Sequence, residues 1–337
     1  MSKRQKYIFD HSYKISISIL SEQRSPLMGF AIIYIMLFHF ESHNPFFCTK
    51  FFVVGDIGVE CFLLLSGLGN YYSLSRTEES SVLQFYKRKL WRILPSFWIM
   101  IIPISVFHYM QHGISLTVFF TRIFGLSVFN EGARGYWYIT ALLICYIISP
   151  LLYKFFRESN RKEIIIVILS FIICYMLSFL LGVEILFRRL PVFVLGMYIG
   201  KLCLNRNLIN IIVVFIISIL LFICTQYYRT NLSYELSVYR LLSNVLTLPL
   251  MMSIAYLISF PLMKFVRLLF DFMGKISLEL YLIHIFILRY ISHFYVSAEY
   301  YVVYSLVFFI GSILLSYFLH FICGCLQNSK MLSKYCK

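Results

Sequence analysis

His39 lies inside an apolar run that extends from Leu27 to Phe40. An ionisable side chain in hydrocarbon is costly, and chains that keep one there generally use it. Two further stretches repeat the pattern. Glu60 interrupts Gly58-Val59-Glu60-Cys61-Phe62, and Ser277, Glu279, Tyr281 and His284 interrupt a run that begins at Gly274. The chemistry open to such a set is proton transfer. A buried imidazole takes the proton of a hydroxyl, a carboxylate fixes its tautomer, and neighbouring hydroxyls donate to a developing oxyanion. The structural alternative is a neutral His39 bonded to the next helix and a Glu60 hydrogen bond with no chemistry.

Spacing refines these roles. Ser277, Tyr281 and His284 fall at i, i+4 and i+7, which is one helical face, whereas Glu279 and His284 at i and i+5 do not share a narrow one. Ser25-Pro26 reads as a helix start, and from Leu27 to His39 is about 18 Å of helix rise. Nine steps from Phe51 place Glu60 about 13 Å in from the opposite side. The two depths coincide, and spans joined by a short loop are neighbours, so the spacing predicts a Glu60–His39 pair.

A third group is basic. Arg88, Lys89 and Arg92 lie within Lys87-Arg88-Lys89-Leu90-Trp91-Arg92-Ile93-Leu94-Pro95. Guanidinium groups bind phosphate bidentately, so this segment is a candidate clamp for a cytoplasmic phosphorylated donor. Ordinary membrane-flanking charge is the competing explanation.

The elements that position these residues are membrane helices. The 337 residues are 60% hydrophobic and 13% charged, with mean hydropathy +0.81, against roughly 25% charged in soluble domains. Apolar segments occur at about 27–41, 51–71, 93–110, 136–153, 164–182, 187–204, 208–226, 238–260, 274–292 and 300–323. Segment 117–129 is short and contains Arg122, which places it at the interface. The expected fold is therefore all-α, a polytopic bundle of about ten spans. Of the 30 Lys and Arg, 22 fall in alternate connecting stretches on one side, which puts both termini in the cytoplasm. A basic N-terminal segment (1–24), a transmembrane domain (25–323) and a cytoplasmic tail (324–337) follow. No internal repeat, long soluble loop or cleavable signal peptide is read.

The net charge of +15 has its source in this topology, and nucleic acid is not an expected partner. The nine cysteines include no CxxC and no Cys/His ligand spacing, so they read as small apolar residues, with no disulfide framework and no metal site.

Five blocks in order resemble the acyltransferase family 3 membrane proteins. They are Gly29-Phe30-Ala31 through Phe38-His39-Phe40; Gly58-Val59-Glu60 through Leu65-Ser66-Gly67; Arg88-Lys89 with Arg92-Ile93-Leu94-Pro95; Trp137-Tyr138 with Tyr146 and Pro150; and Gly274, Ile276-Ser277 with Tyr281-Leu282-Ile283-His284. Arg189 with Phe193 and Gly196 is a weaker match. The resemblance spans about residues 24–320. It implies a bacterial inner-membrane, multi-pass enzyme that transfers an acyl group, usually acetyl, from cytoplasmic acyl-CoA to a hydroxyl. The implied acceptor is a surface polysaccharide or its lipid-linked precursor, and acyl-CoA is a co-substrate, with no cofactor bound permanently. His39 matches the family histidine and would act as base with Glu60. Arg88, Lys89 and Arg92 would bind the donor. Ser277, Glu279, Tyr281, His284, Trp137 and Arg189 would meet the acceptor or the oxyanion. The family signature has an arginine eleven residues before the histidine, but this chain has Met28 there; Arg24, one turn earlier, is the candidate replacement. Glu60 stands where the family often has Asp. A proton-coupled transporter or polysaccharide exporter using the same His and Glu is the alternative from another class, and a family member acting only as a membrane partner is a third.

Overall fold

A computed structural model describes residues 13–42, 54–76, 82–132, 136–158, 162–205, 207–231, 236–291 and 301–335. Of the described residues, 88% are helical. Its principal helices are α1 (Arg24–Ser42), α2 (Ile57–Ser75), α3 (Val82–His112), α4 (Trp137–Glu158), α5 (Glu163–Leu181), α6 (Leu190–Leu204), α7 (Ile211–Asn231), α8 (Leu236–Ser259), α9 (Lys264–Lys275), α10 (Ser277–Ile291) and α11 (Ser312–Tyr335). A π-helical stretch, Val307–Gly311, leads into α11. The sheet consists of Lys14–Ser16 paired antiparallel with Leu208–Asn210, with Ile15 opposite Ile209.

Among the described residues, six helices are long and apolar enough to cross a membrane: α3, α4, α5, α7, α8 and the helix ending in α11. The ends of α1 and α10 that are most apolar form shorter helices of the same character. The chain is thus an all-helical, multi-pass membrane protein. Within the bundle, α2 and α6 hold the centre. Nearly every residue of α2 from Ile57 to Tyr71 is buried, Glu60, Ser66 and Asn70 included. Outer helices present large apolar side chains outward, as Phe179 and Leu180 of α5 and Ile219 and Leu220 of α7 do. Lipid is as apolar as leucine, so close packing rather than hydrophobicity draws the inner helices together. The α2–α6 crossing uses Gly67 against the Phe193 carbonyl and Gly196 against the Leu64 carbonyl; a Cβ at either would overlap backbone.

Several boundaries differ from the hydropathy reading. The apolar stretch expected at 93–110 belongs to a 31-residue helix that begins at Val82. Lys, Arg, Gln and Leu are strong helix formers, so the basic stretch continues the helix beyond the apolar zone. The stretch read as 274–292 is broken at Ile276, where α9 ends and α10 begins. The first three residues of the stretch read as 208–226 are strand. Segment 117–129 contains an eight-residue helix, Leu116–Ile123, capped by Ser115 Oγ accepting from the Val118 amide at 3.3 Å. That is too short to cross. Part of the basic N-terminal segment, residues 1–12, lies outside the described residues, as does the loop with Cys48. Of the seven cysteines described, Cys61, Cys145, Cys203 and Cys323 are buried, Cys174 is half-buried and Cys224 and Cys325 are exposed; all are free thiols.

Candidate functional site

At the end of the bundle where α1 and α10 begin, a cavity of about 780 Å³ opens between α1, α2, α3 and α9. A smaller pocket of about 50 Å³ continues inward from it, and the two share Arg24, Met28, Lys89 and Arg92 as lining. Arg76 and Arg88 also line the wide cavity, where Glu22 is the one carboxylate among the lining residues. Lys275 lines its rim and forms an ion pair with Asp271 at 2.7 Å, which holds that carboxyl below the usual carboxylate range. The basic residues expected from the sequence are therefore brought together, and the excess charge is positive.

Arg24 is the pivot of this arrangement. It precedes Met28 by four residues, so the two share a face of α1 and line the same pocket. Its Nε donates to the Leu65 carbonyl of α2 at 3.0 Å, which fixes the guanidinium against the cavity wall. Lys89 is held by aromatic faces, its Nζ 5.4 Å from the Phe85 ring centroid and 5.8 Å from that of Tyr146. Cation–π contacts of this kind position an ammonium without neutralising it.

The inner pocket turns from basic to hydroxylic. Ser66, Tyr138, Tyr146, Ser277 and Tyr281 line it. Tyr138 and Tyr281 meet edge-on at 4.9 Å between centroids. From Tyr281 the polar path continues along α10, for the His284 ring is 6.0 Å from it and the His39 ring of α1 is 5.4 Å from His284. His284 is fully buried. Its Nδ1 donates to the Leu280 carbonyl at 2.6 Å, which places the ring proton on Nδ1. Nε2 is then a lone-pair acceptor, and it has no hydrogen-bond partner among the described residues.

The Glu60–His39 pair expected from depth is not what the structure builds. Gly58 of α2 packs against the Ala31 carbonyl, and Leu65 meets Arg24, so this antiparallel register sets Glu60 near the level of Ala31. His39 lies eight residues further on, about 12 Å along the helix. Glu60 also points away from α1, because residues 60, 64 and 67 share the face that packs on α6. There Glu60 Oε1 meets Arg189 and Arg240 at 3.2 Å each. Asp56, one turn earlier, accepts from Arg240 at 2.6 Å and Arg189 at 3.2 Å, and Tyr239 donates to its other oxygen. Arg189 lies 4.7 Å over the Trp137 ring. Arg189 and Trp137, expected at the acceptor, are thus part of a buried ionic cluster that joins α2, α4, α6 and α8.

Glu279 also departs from its expected company. It faces away from Ser277 and Tyr281, accepts from Ser96 Oγ of α3 at 2.9 Å, and lies 3.4 Å from His320 Nδ1 of α11. Sequence reasoning missed Asp56, Ser96, Tyr239, Arg240 and His320. Asp56, Arg240 and His320 carried a usable signal, since each interrupts an apolar segment as His39 does. Ser96 and Tyr239 carried none.

A family model described as an acyltransferase domain matches residues 27–321. No curated protein and no solved structure shows a significant match to the chain.

Proposed function

The chain belongs to the acyltransferase family 3 of membrane proteins, and from that premise we propose that it is an O-acetyltransferase. In this reading the donor is acyl-CoA, entering from the cytoplasm. The acceptor is a hydroxyl of a cell-surface polysaccharide or its lipid-linked precursor. The bundle crosses the bacterial inner membrane ten times with both termini cytoplasmic.

The observation that carries the reading is a graded path: a wide, positively lined cavity narrows to a hydroxyl-lined pocket, and two adjacent histidines lie beyond it. Phosphates of the donor sit among Arg24, Arg88, Lys89 and Arg92. Fifteen residues separate Arg24 from His39, about 22 Å of helix, comparable to the extended arm between the phosphates and the thioester of coenzyme A. The arm passes Met28, Ser277 and Tyr281 and brings the thioester toward His39. Arg24 takes the place of the arginine that the family has at Met28.

His39 is the base. It removes the acceptor hydroxyl proton as the oxygen attacks the thioester carbonyl. The tetrahedral intermediate then collapses, the carbon–sulfur bond breaks, and the proton passes from the imidazolium to the departing thiolate. His284 Nε2, a lone-pair acceptor, takes an N–H of His39 and so orients that ring with its other nitrogen toward the acceptor hydroxyl. Oxyanion donation falls to the Tyr281 hydroxyl, because a His284 ring protonated at Nδ1 offers no second proton. His39→Ala is expected to lower transfer by about 10²–10⁴-fold. Acetylation from labelled acetyl-CoA at equal membrane abundance measures it, and wild-type rates in the variant would remove His39 from this role.

A further inference from the structure

One buried carboxylate is left without a part in this mechanism. Glu279 sits on α10 and is 5% exposed. Its Oε1 is fixed by Ser96 Oγ of α3 and faces His320 Nδ1 of α11 at 3.4 Å. The Ser96 hydroxyl lies 3.3 Å from Cys323 Sγ, and Gln327 Nε2 donates to the Trp91 carbonyl at 3.0 Å, so α11 is tied to α3 at two points that follow His320 along the helix. His320 is half exposed and lines the wide cavity, where Arg92 is a neighbouring charge.

A carboxylate behind one imidazole nitrogen fixes the ring and turns the other nitrogen outward. Here the outward side is the cavity lined by Arg24, Arg76, Arg88, Lys89 and Arg92. A ring protonated on both nitrogens donates Nδ1–H to that carboxylate and presents Nε2–H as a donor on its other side. We propose that Ser96, Glu279 and His320 form a relay of position that aims His320 Nε2 at a phosphate of the donor nucleotide. His320 touches the ligand; Glu279 and Ser96 act through it. The inference rests on the acyl-CoA reading above and moves Glu279 from the acceptor to the donor side of the protein. A phosphate bound at this mouth has two chemical sources, the donor nucleotide or an anionic lipid headgroup.

The test is calorimetric titration of the purified full-length protein with coenzyme A, first in nanodiscs of zwitterionic lipid and then with anionic phosphatidylglycerol added. Wild-type protein that binds no coenzyme A overturns the donor reading itself. Given wild-type binding, His320→Ala is expected to weaken affinity about five- to tenfold, the scale of one charge-assisted bond at a partly exposed site. Glu279→Gln is expected to weaken it about two- to threefold alone and to add nothing in the His320→Ala background. His320→Gln, whose amide nitrogen reaches the position of Nε2, recovers part of the loss. An additive pair of substitutions overturns the relay, because a merely structural Glu279 acts independently of His320. Unchanged coenzyme A affinity in His320→Ala overturns the assignment to the donor. So does a loss seen only with phosphatidylglycerol present, which assigns the site to lipid.

Discussion

The two ends of α2 handle charge in opposite ways. At its first turn Asp56 and Glu60 face Arg189 and Arg240, with Tyr239 and the Trp137 ring closing the group. Two carboxylates and two guanidinium groups meet directly inside the bundle, and Arg229 lies 5.0 Å over the Tyr239 ring. Toward its other end Leu65 fixes Arg24 at a cavity where Arg76, Arg88, Lys89 and Arg92 also converge, and among its described lining residues Glu22 is the one carboxylate. Burying charge is expensive in either place. A closed set of partners answers that cost with helix-to-helix ties. An excess of one sign answers it only when a ligand of the other sign arrives. By this comparison the first region has the make-up of a structural joint and the second is where the proposed donor would bind, although the sequence shows both as charges among apolar residues.

The largest expected effect is on the joint. Arg240→Met leaves Asp56 and Glu60 with Arg189 alone and should cost about 3–5 kcal/mol of stability. Thermal unfolding in detergent and membrane abundance both read it. Adding Asp56→Asn should recover part of the loss, and a stable single variant would break the description of this region as a joint. At the other end, Arg24→Ala should weaken donor binding about tenfold or more, the scale of a lost hydrogen bond to a charged group, while moving the unfolding temperature far less than Arg240→Met does. Equal effects of the two substitutions on unfolding would erase the contrast.

A smaller effect separates the two regions by ionic strength. Raising salt from about 0.05 to 0.5 M shortens the Debye length below 10 Å. Coenzyme A affinity should fall severalfold over that range, because the wide cavity is open. The stability contributed by the buried joint should not follow it, which a comparison of wild type and Arg240→Met at both salt concentrations checks.

Much of this contrast was readable in the sequence, and the part that was not has a physical cause. Hydropathy identified the apolar segments, and the basic run at Lys87–Arg92 led to the cavity. Ser277, Tyr281 and His284 fell on one face of α10, as their spacing required. Glu60 failed because depth was taken from segment ends, while the real register follows from Gly58 packing on Ala31. Depth along a helix also says nothing of the face a side chain occupies, and Glu60 meets Arg189 and Arg240 instead of α1. The partners of Glu279 were out of reach of the sequence: Ser96 and His320 lie 183 and 41 positions away, and no local period reports such distances. The pairing within the ionic joint was unreadable for the same reason, since its members come from α4, α8, the start of α2 and the turn before α6.

The central claim is that the positively lined end of α2 receives the phosphates of the acyl donor. Titration of coenzyme A into purified protein carrying Arg24→Ala together with Arg92→Ala tests it most directly. Affinity at least about a hundredfold below wild type is predicted, with an unfolding temperature close to wild type. Wild-type affinity in the double variant, with the protein folded, would contradict the account.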